Sequence, residues 1–159
     1  MNSPLPQAAQ RVAAAAAAAR VAVDIRQMPA STRTAEEAAQ ACGCTVAQIV
    51  KSLVFRGAET QKPYLLLISG ANRVNEKAVA ATIGEALTRP DANYVRDLTG
   101  YAIGGIPPFG HATALATYID RDLLGFDEVW AAAGTPNCVM RLSPEALKGA
   151  ASATELVVR

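Results

Sequence analysis

The sequence predicts an α+β fold in which helices surround a mixed, largely antiparallel sheet or partly closed barrel. Segments of strand and helix character interleave along the chain without a strict βαβ repeat, and several strands look paired in hairpins. The chain has 159 residues, and domains commonly contain about 100–200 residues. We therefore expect one domain spanning residues 1–159.

The first third of the chain predicts two helices with a strand between them. An alanine-rich tract predicts an N-terminal helix within residues 1–20, because alanine has the highest helix propensity. A short strand is expected over residues 21–29. The second helix is expected to begin at Thr34, which has capping-box spacing to Glu37, and to end at Gly43.

The centre of the chain predicts a hairpin followed by two helices. Residues 49–57 form a strand by their β-branched and aromatic content, after one turn capped by Thr45. Residues 63–70 are the expected antiparallel partner. Start and stop signals then predict helices over 75–84 and 89–100, each ended by a glycine.

The last third begins with the loop "TGYAIGGIPPFGH" at residues 99–111. Three strands are expected after it, over 113–120, 127–134 and 137–142. A final helix follows Ser143, which is a suitable cap, with a proline at the first helical position. We expect the long loop to be functional, since bare glycine backbone allows close approach to a ligand.

Composition excludes several classes of function. A net charge of +1 gives no global attraction to nucleic acid or membranes, and a DNA-binding protein is disfavoured by the lack of a basic stripe or helix-turn-helix signature. The alanine tract is shorter than the ~20 apolar residues of a membrane span. Three cysteines, two of them separated by one glycine, indicate reduced thiols and a cytoplasmic protein. Their spacing does not predict a metal site.

Lys51 is the unusual residue of the first predicted hairpin. Strand alternation places it on the same face as Leu53 and Phe55, among apolar neighbours. A desolvated ammonium is unfavourable unless something pairs with it. Two interpretations stay open: the side chain extends its amine to the sheet edge, or it sits at the floor of a pocket that receives an anion or a carbonyl oxygen.

Two glycine-containing segments are candidates for the backbone beside such a pocket. They are residues 104–110 and 133–137, although each could be an ordinary turn. His111 either takes part in the site or satisfies the loop by a hydrogen bond. No phosphate-loop or dinucleotide-binding motif is present in the sequence.

Four segments occur in order along the chain: "QIVKSLVF", "LLLISGANRVNEKAVAATIG", "TGYAIGGIPPFGH" and "VWAAAGTPNCVMRLSPEAL". Together they resemble the YbaK/ProX family, free-standing relatives of the editing domain of bacterial prolyl-tRNA synthetase. The resemblance covers roughly residues 20–155. It implies hydrolysis of the ester of mischarged aminoacyl-tRNA, chiefly proline tRNA carrying a smaller amino acid. It further implies attack by water, with no protein nucleophile and no cofactor.

The same resemblance assigns the site residues. The essential lysine corresponds to Lys51, which would hold either the terminal phosphate or the carbonyl end of the substrate. The amides of three glycines would serve as donors to the charge that develops on the ester. The substrate-binding residues implied in this way are Gly104, Gly105, Ile106, Pro107, His111, Gly134 and Thr135.

Specificity and partners are also expectations from the resemblance. Ala132 and Val139 stand where certain relatives carry Ser and Asp, which predicts an apolar pocket that prefers alanine or 2-aminobutyrate over serine, threonine or cysteine. The expected partner is mischarged aminoacyl-tRNA, with prolyl-tRNA synthetase or an elongation factor as further candidates. The alternative function is a non-catalytic module that binds aminoacyl-tRNA or a synthetase.

Overall fold

A computed structural model describes residues 5–159, so the first four residues of the predicted N-terminal segment lie outside the described part. The helices are α1 (Gln7–Ala18), α2 (Ala35–Cys42), α3 (Glu76–Ile83), α4 (Ala92–Thr99) and α5 (Pro144–Ala150). The strands are β1 (Asp24–Gln27), β2 (Ile49–Gly57), β3 (Pro63–Ser69), β4 (Leu87–Thr88), β5 (Ala116–Asp120), β6 (Val129–Ala132), β7 (Cys138–Leu142) and β8 (Thr154–Leu156). Short 3₁₀ turns cover Val46–Gln48 and Arg121–Gly125.

Local capping explains why the middle helices begin and end where the sequence predicts. The Thr34 side chain accepts from the Glu37 N–H, and the Glu37 side chain accepts from the Thr34 N–H, so the capping box of α2 is complete. The Asn75 and Asp91 side chains cap α3 and α4 by accepting from the N–H groups of Ala78 and Tyr94. Glycines in the left-handed conformation, such as Gly43, end all three helices.

The strands form one mixed sheet in the order β1-β7-β6-β2-β3-β5-β8, with β4 pairing the end of β2. The pairs β1–β7, β6–β7, β2–β3 and β2–β4 are antiparallel, whereas β2–β6, β3–β5 and β5–β8 are parallel. The predicted α+β class with a mixed sheet is therefore confirmed. Within residues 5–159 no pair joins β1 to β8, so the sheet is open and the barrel alternative is not adopted.

Helices cover the sheet on both faces. Leu65 and Leu67 of β3 are fully buried in a cluster with α1, α4 and α5. Leu66 and Ile68 point the other way and are fully buried with Val79 of α3, and α2 packs on this same face. A strand that is buried on both faces needs apolar residues at successive positions, which explains the continuous apolar run of β3.

A buried carboxylate fixes the hairpin between β2 and β3. The Glu85 side chain accepts hydrogen bonds from the Thr60 hydroxyl, from the N–H groups of Glu59 and Thr60, and from the Tyr64 hydroxyl. These donors stabilise the ionised form and lower the pKa of Glu85 to about 2. A Cβ at Gly57 would overlap this carboxylate, so glycine is required there.

The small side chains of the alanine-rich helix α1 allow the loops that contain Gly110 and Gly134 to pack closely against it. A Cβ placed on Gly134 would lie 2.7 Å from backbone atoms of Ala8, and one on Gly110 would lie 2.6 Å from the Cβ of Ala15. Small residues on both sides therefore let loop and helix touch. None of the helices in residues 5–159 has the length and apolar character needed to cross a membrane.

This packing predicts a large difference between two glycine substitutions. Gly134→Ala places a methyl group against α1 at a residue with φ of 103°, so we expect a loss of at least about 1–3 kcal/mol in the free energy of unfolding. Gly149→Ala is the control, because Gly149 lies in α5 with open space around it, and we expect a gain of roughly 0.5–1 kcal/mol. Urea denaturation measures both changes, and equal stability of the two variants would contradict this packing.

Candidate active site

A cavity of about 510 Å³ lies where the sheet divides. β2 pairs with β6 at Ile49 and Val50 alone among its described residues. It pairs with β4 at Arg56 and Gly57. Between these points β6 has turned away, and residues 51–55 form a wall of the cavity. The cavity is therefore a gap in the sheet itself.

The other walls come from four parts of the chain. They include residues 32–36 at the start of α2, strands β6 and β7, Arg89, Pro90 and Val95 around the start of α4, and Ile103, Gly104 and Ile106 of the long loop. The predicted apolar positions Ala132 and Val139 both line the cavity. The complete apolar lining, apart from small residues of α2 and the loops, is Ile49, Val50, Leu53, Val54, Phe55, Val95, Ile103, Ile106, Trp130, Ala131, Ala132 and Val139.

Lys51 brings a positive charge into this apolar cavity. Its side chain is half-buried, and Nζ donates to the carbonyl oxygen of Asn72 at 2.8 Å. Burial lowers the pKa of Lys51, with the nearby carboxylate of Glu36 opposing that shift. The ammonium is thus partly shielded and hydrogen-bonded to the turn after β3, on a residue that lines the cavity.

Asn72, whose carbonyl holds the ammonium, is itself tied by its side chain to a buried carboxylate, Asp120, and to a half-exposed one, Asp122. Asn72 Nδ2 donates to carboxylate oxygens of Asp120 and Asp122, each at 2.8 Å. Asp120 is only 2% exposed and also accepts from the backbone N–H of Ser69. Because these contacts fix the turn after β3, they also fix the position of the Lys51 ammonium.

Gly104, the first of the three predicted donor glycines, lies at the cavity. Gly104 and Ile106 both line it. Gly104 has a φ of 96°, and the side chain of Arg33 lies over it, with Cγ 3.0 Å from the position a Cβ would occupy. Glycine is therefore required here by backbone conformation and by the covering arginine.

The other two predicted glycines are used inside the protein. The N–H of Gly105 donates to the Ala102 carbonyl, and the N–H of Gly134 donates to the Gly105 carbonyl at 2.9 Å. A Cβ on Gly105 would lie 2.8 Å from the backbone of Thr135. The expectation that both amides are free to receive an ester oxygen is therefore corrected: these glycines join the two loops.

Pro107, His111 and Thr135 lie behind the cavity wall, outside its lining. His111 Nε2 is 2.6 Å from the Pro107 carbonyl oxygen, and burial lowers the pKa of His111, which favours the neutral ring as donor in this bond. The Thr135 hydroxyl donates to the Asn137 side chain. All three hold the loops in place, in line with the alternative in which His111 satisfies its own loop.

No motif in the sequence marks the charged residues at the cavity mouth. Arg33, Glu36 and Arg89 line it and are exposed. The guanidinium of Arg89 lies 5.5 Å from the centre of the Phe55 ring and 3.9 Å from a carboxylate oxygen of Glu76. These residues are scattered along the chain in no motif, so only the fold brings them together.

The cavity offers no nucleophile paired with a histidine. Ser52 lines it, but its Oγ has no hydrogen-bond partner in the described structure, and the single histidine of the chain bonds elsewhere. Across residues 5–159 no three His, Cys, Asp or Glu side chains are grouped to hold a metal ion. What the cavity presents chemically is the Lys51 ammonium, apolar walls, hydroxyl and main-chain groups, and exposed charged side chains at its mouth.

Comparison with known proteins finds one matching family model and several similar chains. The family model of the aminoacyl-tRNA editing domain matches residues 29–150. YwhH, an uncharacterized protein of Bacillus subtilis (strain 168), is 34% identical over 124 residues, which is 78% of each chain. A crystal structure of a candidate trans-editing enzyme for prolyl-tRNA synthetase has a TM-score of 0.91 and 44% identity, covering 98% of this chain and 99% of that one. The proline–tRNA ligase of Limosilactobacillus fermentum (strain NBRC 3956 / LMG 18251) is 32% identical over 96 residues, which is 58% of this chain and 17% of the ligase.

The anchoring of Lys51 predicts different outcomes for two asparagine variants. Asn72→Ala removes the amide that ties the turn to Asp120, so we expect a loss of roughly 1–3 kcal/mol in unfolding free energy and a mobile Lys51 ammonium. Asn75→Ala is the control. It removes the side-chain cap of α3, which should lower the unfolding free energy by a comparable amount, but it breaks no hydrogen bond that holds Lys51. Thermal unfolding and the NMR signal of Lys51 Nζ measure both effects. An unchanged Lys51 signal in Asn72→Ala would contradict the anchoring.

Proposed function

The chain belongs to the aminoacyl-tRNA editing domain family, and we propose that it is a trans-editing hydrolase that deacylates mischarged aminoacyl-tRNA. Its proposed substrate is proline tRNA carrying alanine or 2-aminobutyrate. The observation that carries this proposal is the ammonium of Lys51, held by the Asn72 carbonyl in an apolar cavity of the sheet.

The proposed reaction is hydrolysis of an ester by water. Water adds to the ester carbonyl carbon, and negative charge develops on the carbonyl oxygen. The bond to the ribose oxygen then breaks, and that oxygen takes up the proton given up by the water. The products are the free amino acid and a ribose hydroxyl. An ammonium in a cavity with apolar walls interacts strongly with that developing charge, since the local dielectric is lower than in water.

We assign Lys51 to the carbonyl oxygen rather than to a phosphate. Lys51 is half-buried and already bonded to a carbonyl, whereas Arg33 and Arg89 are exposed at the mouth. A phosphodiester would remain better hydrated beside those arginines than inside the cavity. The ester end of the substrate thus enters the cavity while the nucleotide stays at its mouth.

Hydrolysis of proline tRNA that carries alanine tests whether Lys51 is catalytic. Lys51→Ala should slow hydrolysis by about 10²–10³-fold, as expected for loss of one donor to an oxyanion. Lys62→Ala, at an exposed position, should hydrolyse at the wild-type rate. Melting curves of both variants confirm that they are folded. Hydrolysis at the background rate by the wild type and by Lys51→Ala alike would leave the non-catalytic binding module as the function.

The lining predicts which amino acid is removed. Ala132 and Val139 leave a side-chain hydroxyl or thiol without a partner in this part of the wall, and burying an unpartnered polar group is unfavourable. We expect alanyl and 2-aminobutyryl esters to be cleaved up to about 10²-fold more efficiently than seryl, threonyl or cysteinyl esters. Deacylation rates of proline tRNA charged with each of these five amino acids, measured in competition, give this preference. Ala132→Ser should reduce the difference in rate between the apolar and the polar amino acids. A preference for serine or cysteine would refute it.

A further inference from the structure

The edge of β2 that faces the cavity has a fixed pattern of main-chain groups. The Gly70 N–H donates to the Ile49 carbonyl, and the Gly57 N–H donates to the Lys62 carbonyl. In an antiparallel pair, hydrogen-bonded residues alternate with residues that direct their N–H and C=O to the opposite edge. The odd-numbered residues of β2 therefore bond to β3, and the even-numbered residues face away from it.

Two of the even-numbered residues meet no strand on that side. Pairing with β6 ends at Val50 and pairing with β4 begins at Arg56, so Ser52 and Val54 lie between them. Both line the cavity. Each directs one N–H donor and one C=O acceptor into it, and the Ser52 hydroxyl beside them also lacks a partner in the described structure.

We propose that this free edge binds the aminoacyl group of the substrate as it would bind a residue of a neighbouring strand. The substrate's α-ammonium donates to the Ser52 carbonyl, and the Ser52 N–H donates to the ester carbonyl oxygen. An aminoacyl ester carries its nitrogen and its carbonyl on the same carbon, as every residue of a strand does, so it fits such a donor–acceptor pair. The inference rests on the proposed function and adds that a free α-amino group is required.

Ser52 rather than Val54 is placed at the ester because it adjoins Lys51. The ammonium of Lys51 lies at the cavity, and the N–H of the next residue points into it. A carbonyl oxygen bound to the Ser52 N–H would therefore lie beside the residue that carries the positive charge. Main-chain donor and ammonium then act on the same developing charge.

Glu36 is the competing acceptor for the substrate's ammonium. It lines the cavity and is exposed at its mouth, where water weakens a charge pair. The Ser52 carbonyl belongs to the sheet, is fixed by the ladder to β3 and needs no ordering of a side chain. These properties favour the strand edge, and the experiment separates the two acceptors.

The kinetic test removes the α-amino group and keeps the ester. Alanyl- and propionyl-tRNA for proline are hydrolysed by the wild type and by Glu36→Gln, each rate being divided by the spontaneous rate of the same ester. We expect propionyl-tRNA to be cleaved at least about ten-fold less efficiently by both proteins. Equal efficiency toward both esters in the wild type would overturn the proposal. Discrimination that disappears in Glu36→Gln would overturn it too, by assigning the ammonium to Glu36.

A binding test does not depend on hydrolysis. 3′-Deoxy-3′-alanylamino-adenosine contains an amide in place of the ester, and its binding is followed through backbone amide NMR signals. The Ser52 signal should shift most, while Leu53 and Phe55 are internal controls because their N–H groups bond to β3. The propionylamino analogue should bind at least about ten-fold more weakly. Larger shifts at the controls, or equal affinity for the two analogues, would overturn the proposal even if the chain proved not to be a hydrolase.

Discussion

The separation of β6 from β2 after Val50 is the constraint on which the rest of the site depends. Had the two strands stayed paired, the edge of β2 would be filled and the sheet would have no cavity. The loops hold the gap open. The carbonyl of Gly105 accepts from the N–H of Gly134, and Gly134 packs directly on α1. Gly105 and Gly134 therefore stabilise the loops around the cavity and do not line it.

The same gap explains how the fold tolerates a lysine inside a strand. An ammonium that lost its water without compensation would be strongly unfavourable. Lys51 keeps one strong acceptor, the Asn72 carbonyl, and the Asn72 side chain is tied in turn to the buried carboxylate of Asp120. The protein thus supplies a partner for the ammonium, and the residue that carries it also lines the cavity. A positive group prepared in this way stabilises new negative charge with little rearrangement.

Features with a local cause could be predicted from the sequence. Helix ends are set within a few residues by the capping box of Thr34 and Glu37 and by the glycines that follow the helices. Alternation along β2 correctly placed Lys51 on the same face as Leu53 and Phe55. β4 and β8 were missed because strands of two and three residues carry no readable alternation. Their pairing depends on distant parts of the chain.

The candidate site was only partly predictable for the same reason. A glycine-rich loop indicates close backbone approach but does not say to what. Gly104 approaches the cavity, whereas Gly105 and Gly134 approach other parts of the protein. The free edge at Ser52 results from the absence of a neighbour, and no residue type marks such an absence in a sequence.

The most direct measurement of the central claim is a crystal structure with 3′-deoxy-3′-alanylamino-adenosine bound. The account predicts that the alanyl group lies in the gap between β2 and β6, with its carbonyl oxygen near the Lys51 ammonium and the adenosine at the mouth beside Arg33 and Arg89. An analogue bound outside this gap, or a Lys51 side chain turned into solvent in the complex, would contradict it.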